Sequence, residues 1–150
     1  TTIFDWWSIG SIRRLRKLIA SGSYESTSAS ALVKGGLKKE EAEIFLRFSK
    51  AIKLAAEDPA IRFGTTYDLC YCNMSSDGFD KNRHYVFLRD FEEHTLLIAA
   101  NFSRNDAVMK LTIPQHAFEW MGIPENETLY PGKVIEVRVP AMDATVITII

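Results

Sequence analysis

The three histidines, the paired carboxylates and the two cysteines are the residues whose types could do chemistry. His84, His94 and His116 have no sequence neighbours suited to a catalytic triad or a metal site. A single histidine of this kind is more often hydrogen-bonded or on the surface. The sequence also has no Gly-rich phosphate loop, no nucleophile elbow and no HExxH motif. We therefore predict no catalytic residue and no cofactor-binding residue in this chain.

The paired carboxylates Asp77/Asp80 and Glu92/Glu93 lie in turn-like sequence. A glycosidase pair needs a cleft that holds two carboxyl groups at a fixed separation and moves their pKa values apart. No such cleft is indicated by the sequence. The Asp77–Asp80 spacing also fails the calcium-loop template, which a Glu must close. We interpret these carboxylates as ordinary turn residues.

Cys70 and Cys72 are two positions apart in a strand-like run, so both side chains should point to the same face. This spacing is neither a redox pair with two intervening residues nor half of a zinc site. Neighbours on the same face also make a poor disulfide. We interpret both cysteines as small buried hydrophobic residues and predict no metal site.

Length and charge set limits on the class of protein. A chain of 150 residues with 47% apolar content can form one good core, and a net charge of -1 gives no field that would recruit nucleic acid. No apolar run approaches the roughly 18 residues of a membrane span. We therefore expect neither nucleic acid nor a membrane as a partner. The chain begins without an initiator Met, so we expect a piece of a longer protein, and a periplasmic or secreted location is compatible with it.

The first part of the chain is predicted to be helical. A helix, or a pair of short helices, is predicted over residues 3–20. Residues 21–36 are rich in Ser, Ala and Gly, which predicts a long mobile loop. Residues 37–58 form the clearest helix, because apolar residues recur there at three-and-four spacing. Asp58-Pro59 should end this helix, since the residue before a proline avoids helical geometry.

Residues 85–103 organise the rest of the chain as a predicted hairpin. In the first arm, residues 85–90, successive side chains alternate between the two faces of the sheet. The second arm, residues 96–100, is apolar without a break, as expected of a strand covered on both faces. No Asn-Gly pair fixes a two-residue turn, so a longer loop is expected. We expect Phe87 and Phe102 in an inter-sheet core, and Arg89 at the rim with its head in water.

Further strands and one short helix flank this hairpin. Strands are predicted over residues 65–72, 106–113, 134–140 and 144–150, and a helix over residues 114–121. Helices followed by antiparallel strands indicate an α+β fold, in which N-terminal helices pack beside an antiparallel β-sandwich. We divide the chain into a helical segment, residues 1–63, and a β-sandwich domain, residues 64–150.

Several runs in this order are similar to parts of one known family. The runs IFLRFSKAI at 44–52 and DPAIRFG at 58–64 resemble the final barrel helix of the α-amylase family and the Gly that opens its next domain. YVFLR at 85–89 and LIAANFS at 97–103 are similar to strands of that family's C-terminal sandwich. IPQHAF at 113–118 resembles a subgroup with a short helix inserted in the sandwich. The resemblance covers most of the chain from residue 37 onward.

This resemblance implies the C-terminal part of an α-amylase-type glycoside hydrolase: the last barrel helices and the C-terminal all-β domain. The parent enzyme would cleave α-glucosidic bonds in starch-like glucans with retention. The family's catalytic Asp nucleophile, Glu acid and third Asp lie on earlier barrel strands, none of which is in this chain. The chain would therefore support the barrel structurally without catalytic residues of its own.

The implied partners are the catalytic barrel of the same parent chain and, through it, an α-glucan substrate. We also expect an exposed apolar face on the long helix around Phe45, Phe48 and Ile52, which a second copy could cover in a homodimer.

A stand-alone carbohydrate-binding or protein-interaction module is the alternative. An exposed, coplanar pair of Trp or Tyr rings would favour it, since sugars stack on open aromatic faces. We interpret Trp6 and Trp7 as core residues, and burial of these two and of Trp120 would favour the structural role.

Overall fold

A computed structural model describes residues 12–150, and its internal contacts divide the chain into two units, residues 1–57 and 58–150. The part of the predicted first helix before residue 12, with Trp6 and Trp7, lies outside the described residues. The predicted division between residues 63 and 64 stays a prediction. None of the helices in residues 12–150 combines the length and apolarity that a bilayer span requires.

The described part of the first unit is helical. It contains α1 (Ile12–Ala20), a 3-10 turn (Ser23–Glu25), α2 (Ala29–Lys34) and α3 (Lys39–Glu57). Its core consists of Leu18, Leu32, Leu37 and Ala42. The helix predicted over residues 37–58 is confirmed in its type, and it ends before Asp58-Pro59 as expected.

The predicted loop over residues 21–36 is wrong, because α2 lies within it. Leu32 is 0% exposed and belongs to the same core as Leu18 and Leu37. Helical stability in proteins comes mainly from packing an apolar side chain rather than from local preference. Burial of one leucine therefore orders a segment whose Ser-rich and Gly-rich composition predicts a loop.

The start of α3 is capped by a side chain of its own first turn. Lys38 offers no capping hydroxyl, but the backbone N–H of Lys38 donates to Glu41 Oε2 at 2.9 Å. This is the half of a capping box in which a glutamate at the third helical position reaches back to the cap. Arg14 Nε donates to the same carboxylate oxygen at 2.9 Å, which joins α1 to α3.

The second unit carries the strands. Its elements are α4 (Pro59–Phe63), β1 (Thr65–Asp68), β2 (His84–Phe91), β3 (His94–Asn101), β4 (Ala107–Thr112), α5 (Gln115–Met121), β5 (Val134–Val139) and β6 (Asp143–Thr148). An antiparallel sheet has the order β1-β2-β3-β6, and β4 pairs antiparallel with β5. The fold is therefore α+β, with helices and antiparallel sheets of four and two strands.

One hydrophobic core joins the two sheets of this unit. The inner face of the four-stranded sheet is the face that this core covers. Residues of the cluster from both sheets include Val86, Leu88, Leu97, Ala99, Met109, Leu111, Val137 and Val139. The Asn101 amide nitrogen, at the end of β3, donates to the carbonyl oxygens of Asn105, Val139 and Pro140 at 2.9–3.2 Å. Because Asn101 is 1% exposed, these bonds give its buried amide nitrogen the partners that it needs.

The central hairpin confirms one prediction and corrects another. Of the run predicted to be covered on both faces, residues 96–99 are buried and Ala100 is half-buried. The predicted longer loop is wrong, because Phe91 pairs with His94 across the two residues Glu92 and Glu93. Both have positive φ, 48° and 66°, which is the type I′ pattern that matches the strand twist. The continuous pairing of β2 and β3 holds two non-glycine residues in this geometry.

The strand predicted over residues 65–72 ends early, at Asp68. The Asp68 carboxylate accepts a hydrogen bond from the Cys70 backbone N–H at 2.8 Å, and an Asp that bonds two residues ahead makes a turn. Cys70 and Cys72 are therefore not strand neighbours on one face, and both are only half-buried. The Cys70 thiol instead accepts from the Val86 N–H at 3.3 Å.

The predicted place of the hairpin phenylalanines between the sheets is also wrong. Val86 and Leu88 face the inner core, so alternation turns Phe87 to the opposite face, where it packs beside Leu96 and Ile98. Phe102 is 66% exposed. Both faces of this hairpin are apolar in sequence, and packing against β4 and β5 decides which face is inside.

Candidate functional site

The outer face of the four-stranded sheet, opposite the core shared with β4 and β5, is also apolar. Leu96 and Ile98 are buried there together with Ala60 of α4, and Phe87, Phe91 and Val146 pack against them. An antiparallel sheet that faces water on one side normally alternates apolar inside with polar outside. This sheet does not alternate in that way, so its outer face is built to be covered.

The short helix α4 covers one end of the outer face, and Asp58 fixes its start. Asp58 Oδ1 accepts from the backbone N–H groups of Ala60 and Ile61 at 2.9 and 3.3 Å, a standard N-cap, and Pro59 follows at the first helical position. Asp58 Oδ2 lies 3.0 Å from His94 Nε2, at the start of β3. The N-terminal end of the helix is thus attached to the hairpin.

Two opposing effects act on the pKa of Asp58. Burial by itself raises the pKa, but the hydrogen bonds from His94, Ile61 and Ala60 and the charge of His94 outweigh that effect. The net result is a pKa below the ordinary aspartate value. The carboxylate is therefore stabilised in its ionised form as a cap and as a partner of His94.

Arg89 holds the other end of α4. Its guanidinium donates to the carbonyl oxygens of Ala60 at 2.9 Å and Ile61 at 2.7 Å, and also to the Thr66 hydroxyl. A cation is favoured at the last carbonyl groups of a helix, and Arg89 adds a second hydrogen bond at the Ala60 carbonyl, which also accepts from the Gly64 N–H. The prediction that the Arg89 head lies in water is therefore wrong. Sequence reasoning missed this role because nothing local indicates that helical carbonyls lie above the strand.

Gly64 permits the close approach of α4 to β2. A Cβ at this position would collide with the Ala60 carbonyl oxygen and lie 2.6 Å from the Asp90 carbonyl oxygen. The Gly64 N–H donates to the Ala60 carbonyl at 3.0 Å. Residues 58–64 are thus held against the sheet at three points: by Asp58, by Arg89 and by the close approach at Gly64.

The rest of the outer face is open. We define the open rows as Tyr85, Ala100 and Ala144, which are cross-strand partners, together with Phe102 beyond them. Tyr85 is 44% exposed, Phe102 is 66% exposed, and Ala144 is exposed as well. The Tyr85 and Phe87 rings lie 5.3 Å apart between centroids, so the apolar surface continues from the open rows to the part under α4.

A second surface feature is a group of aromatic rings around Tyr67. We call Tyr67, Tyr71, His116 and Trp120 the aromatic cluster. Their ring centroids lie 5.8–6.3 Å from that of Tyr67, and their planes are tilted to it by 45–53°. Tyr67 itself is 8% exposed, whereas Tyr71 is 51% and Trp120 is 56% exposed. A buried ring thus supports a set of exposed ones.

The helix α5 places two members of the aromatic cluster. His116 and Trp120 are four residues apart, which puts them on one side of the helix. The predicted helix is confirmed: it begins after Pro114 and ends at Gly122, whose φ of 69° favours glycine. The opposite side of α5 carries Ala117 and Phe118 into the core.

Hydroxyl and imidazole groups connect the cluster. Tyr67 Oη lies 2.6 Å from Tyr71 Oη and 2.9 Å from His116 Nδ1. Burial, and then the hydrogen bond with Tyr71, raise the pKa of Tyr67 above the ordinary tyrosine value. The Tyr67 phenol therefore stays protonated and orients its two neighbours rather than acting as a base.

The three histidines lie in three different settings. His116 belongs to the aromatic cluster and His94 to the α4 attachment. His84 is 9% exposed and accepts a hydrogen bond at Nδ1 from the Asp80 N–H at 3.0 Å. Burial lowers the pKa of His84, which favours its neutral form. No two of these histidines are brought together.

The paired carboxylates also do not form a site. Asp77 pairs with Lys110 at 2.9 Å, and this contact lowers its pKa, while Asp80 pairs with Arg83 at 3.5 Å. Glu92 and Glu93 are exposed in the hairpin turn. Within residues 12–150, no group of three or more His, Cys, Asp or Glu side chains could hold a metal ion.

Comparison with known proteins adds no relative. No family model matches the chain, and neither a curated protein nor a solved structure matches it. The functional argument therefore depends on the outer face and the aromatic cluster.

Proposed function

We propose that this chain is the non-catalytic C-terminal part of an α-amylase-type glycoside hydrolase that acts on starch-like α-glucans. Its second unit is the all-β domain, a sandwich of the four-stranded sheet and the β4–β5 pair. Its role is to pack on the catalytic barrel of the same parent chain and to support that barrel structurally. The retaining chemistry belongs to barrel residues outside this chain.

The observation that carries this proposal is the apolar outer face, of which α4 covers only one end. The open rows present Tyr85 and Phe102 to solvent beside buried apolar residues. Contiguous exposed apolar surface of this kind marks an interaction site. The open rows are continuous with the surface under α4. This continuity supports a partner that belongs to the same protein and is connected to the sheet through α4.

The fixed path of residues 58–64 supports the same proposal. The N-cap at Asp58 and the Arg89 bonds to α4 hold the sheet in a defined relation to this short helix. An interaction module on a free linker has no need of such an attachment, because linkers between independent modules are flexible. The sequence resemblance to the last barrel helix of the α-amylase family covers these residues. In addition, Ile44 and Ile52 of α3 are 41% and 54% exposed and offer further apolar contact to the barrel.

Association with the barrel is the test. The chain and the preceding region of its parent protein, produced as two polypeptides, should form a complex that size-exclusion chromatography and calorimetry detect. Tyr85→Ser together with Phe102→Ser should weaken the complex at least about tenfold, a loss of about 1.4 kcal/mol. The control is Tyr130→Ser, which removes an exposed ring that belongs to neither the open rows nor the aromatic cluster.

Two results would overturn the proposal. One is a preceding region of the parent that encodes no barrel strands with the three acidic residues. The other is a complex that the double variant leaves unchanged while Tyr130→Ser weakens it. The isolated chain should also release no reducing sugar from starch or maltooligosaccharides above a heat-treated control, because it contributes no catalytic acid or nucleophile.

A second candidate is supported by the aromatic cluster. Trp120 is 56% exposed, so it does not have the burial that would favour a purely structural role, and a stand-alone carbohydrate-binding or protein-interaction module is the second candidate. A homodimer that covers the open rows or the exposed face of α3 is a related alternative. A concentration-dependent dimer of the isolated chain, lost in the Tyr85→Ser/Phe102→Ser variant, would identify a second copy as the occupant of the open rows instead of a barrel.

A further inference from the structure

The exposed rings of the aromatic cluster have a feature that a packing role does not require. Tyr71 and Trp120 leave about half of their surface in solvent, although they contact Tyr67 on the other side. A ring that only fills the core is normally covered. About half of each of these two side chains is therefore available to a ligand.

The polar groups of the cluster are held in place by hydrogen bonds to the Tyr67 hydroxyl. Tyr67 Oη donates to one neighbour and accepts from the other, because a phenol has a single O–H. When Tyr67 donates to His116 Nδ1, the Nε2–H of the imidazole points away as a donor, and Tyr71 Oη keeps a free lone pair as an acceptor. The cluster thus combines apolar ring faces with one donor and one acceptor at its edge.

This combination fits a neutral sugar better than it fits other classes of ligand. A pyranose has an apolar C–H face that packs on an aromatic ring, and hydroxyl groups at its edge that both donate and accept hydrogen bonds. Nucleic acid needs Lys or Arg near its phosphates, and the four members of the cluster include neither. An apolar peptide would leave the edge groups of Tyr71 and His116 without partners, which costs binding energy.

We propose that the aromatic cluster is a binding site for α-glucan chains, with Trp120 and Tyr71 as stacking surfaces and the His116 imidazole and the Tyr71 hydroxyl as the hydrogen-bonding groups at the edge. The choice of an α-linked glucan over other neutral sugars rests on the function proposed above. The site would hold the polymer on the parent enzyme without taking part in bond cleavage. Tyr67 is a positioning residue, since it orients both neighbours through its hydroxyl.

Calorimetric titration of the full chain with maltoheptaose tests the site, with cellohexaose as the β-linked comparison. We expect binding of maltoheptaose and much weaker binding of cellohexaose. Trp120→Ala should weaken maltoheptaose binding by about tenfold or more, which corresponds to about 1.4 kcal/mol. Trp120→Phe, which keeps a ring, should retain part of the affinity, and Tyr130→Ala, outside the cluster, should retain all of it.

Tyr67→Phe separates positioning from packing. It keeps the buried ring and removes the hydroxyl that orients Tyr71 and His116, so it should weaken binding while the thermal midpoint changes little. Tyr71→Ala provides a second test on a different element if Trp120→Ala does not fold. A chain that binds no maltoheptaose, equal affinity for cellohexaose, or full affinity in both Trp120→Ala and Tyr71→Ala would each overturn the proposal.

These results are independent of the barrel test. Glucan binding by the isolated chain uses the aromatic cluster, whereas barrel association uses the open rows. If the chain does not associate with the barrel but binds maltoheptaose, the proposed function is refuted and the glucan site is supported. The opposite outcome would remove the site and leave the proposed function.

Discussion

The two faces of the four-stranded sheet are covered by different means. On the inner face, Leu97 and its neighbours pack into a large core with side chains of β4 and β5. On the outer face, a helix of five residues lies over Leu96 and is held at both ends by Asp58, His94 and Arg89. Apolar packing covers the inner face, whereas hydrogen bonds and an ion pair fix the position of α4 on the outer face.

This difference has a functional consequence. A core is complete when its apolar surface is filled, but a short attached helix leaves most of an apolar face available. The outer face therefore combines a fixed position of residues 58–64 with the open rows. This arrangement is the basis of the packing on another part of the same protein that is proposed above.

The largest expected effect compares two adjacent leucines of β3. Leu97→Ala on the inner face should lower the free energy of unfolding by about 3–5 kcal/mol, and Leu96→Ala on the outer face by about 2–3 kcal/mol. Both side chains are at most 1% exposed, but Leu97 lies in the large core between the sheets, whereas Leu96 lies in the smaller cluster under α4. Urea denaturation measures both, and a larger loss for Leu96→Ala would show that the outer face is the main core.

The next effect concerns the attachment of α4. Arg89→Met keeps an unbranched apolar stem and removes the guanidinium bonds to Ala60 and Ile61, so it should cost about 2 kcal/mol. Arg89→Lys should not restore the loss, since an ammonium group cannot reproduce the fork of the guanidinium. Arg138→Met is the control, because Arg138 has 82% of its side chain exposed and should change stability by less than about 0.5 kcal/mol. Equal effects at Arg89 and Arg138 would show that the α4 contact contributes nothing.

A smaller effect depends on pH. The folded-state pKa of Asp58 lies below its ordinary value, so its contribution to stability is complete above about pH 4 and is lost as the pH falls through the folded pKa. Asp58→Asn can still cap the helix but does not titrate. As the pH falls below about 4, the wild-type chain should therefore lose more stability than Asp58→Asn. Parallel acid dependence in denaturation of the two proteins would contradict this assignment.

The smallest expected effect is at the open rows. Phe102→Ala should change the stability of the isolated chain by less than about 0.5 kcal/mol, because the ring is 66% exposed. Under the proposed function, the same substitution should lower the affinity for the barrel. A loss of several kcal/mol in the isolated chain would place the Phe102 ring in a core and remove it from the open rows.

Much of the secondary structure could be predicted from the sequence, because the relevant forces act between near neighbours. The long helix follows from apolar spacing and its end from Asp58-Pro59, and the helix of residues 115–121 follows from Pro114 and Gly122. The unbroken apolar run of β3 indicated a strand buried on both faces, which the burial of residues 96–99 confirms.

The surfaces that carry the proposals could not be predicted in the same way. Tyr67 and His116 are 49 positions apart, and Arg89 lies 28–29 positions from the carbonyl groups that it holds. Sequence spacing contains no information on such contacts, since they depend on how α4 and α5 are placed on the sheet. The nearest sequence signals of the aromatic cluster were the i, i+4 spacing of His116 and Trp120 and the two tyrosines at 67 and 71.

By itself, the sequence determined which segments are apolar and where the chain turns. Only the tertiary structure decided which apolar face is inside. Phe87 and Phe102 alternate with Val86 and Asn101 in a way that suits either face, and packing against β4 and β5 selects the face of Val86. Since side chains alternate with a period of two along a strand, a local pattern can define two faces but cannot say which of them the rest of the protein covers.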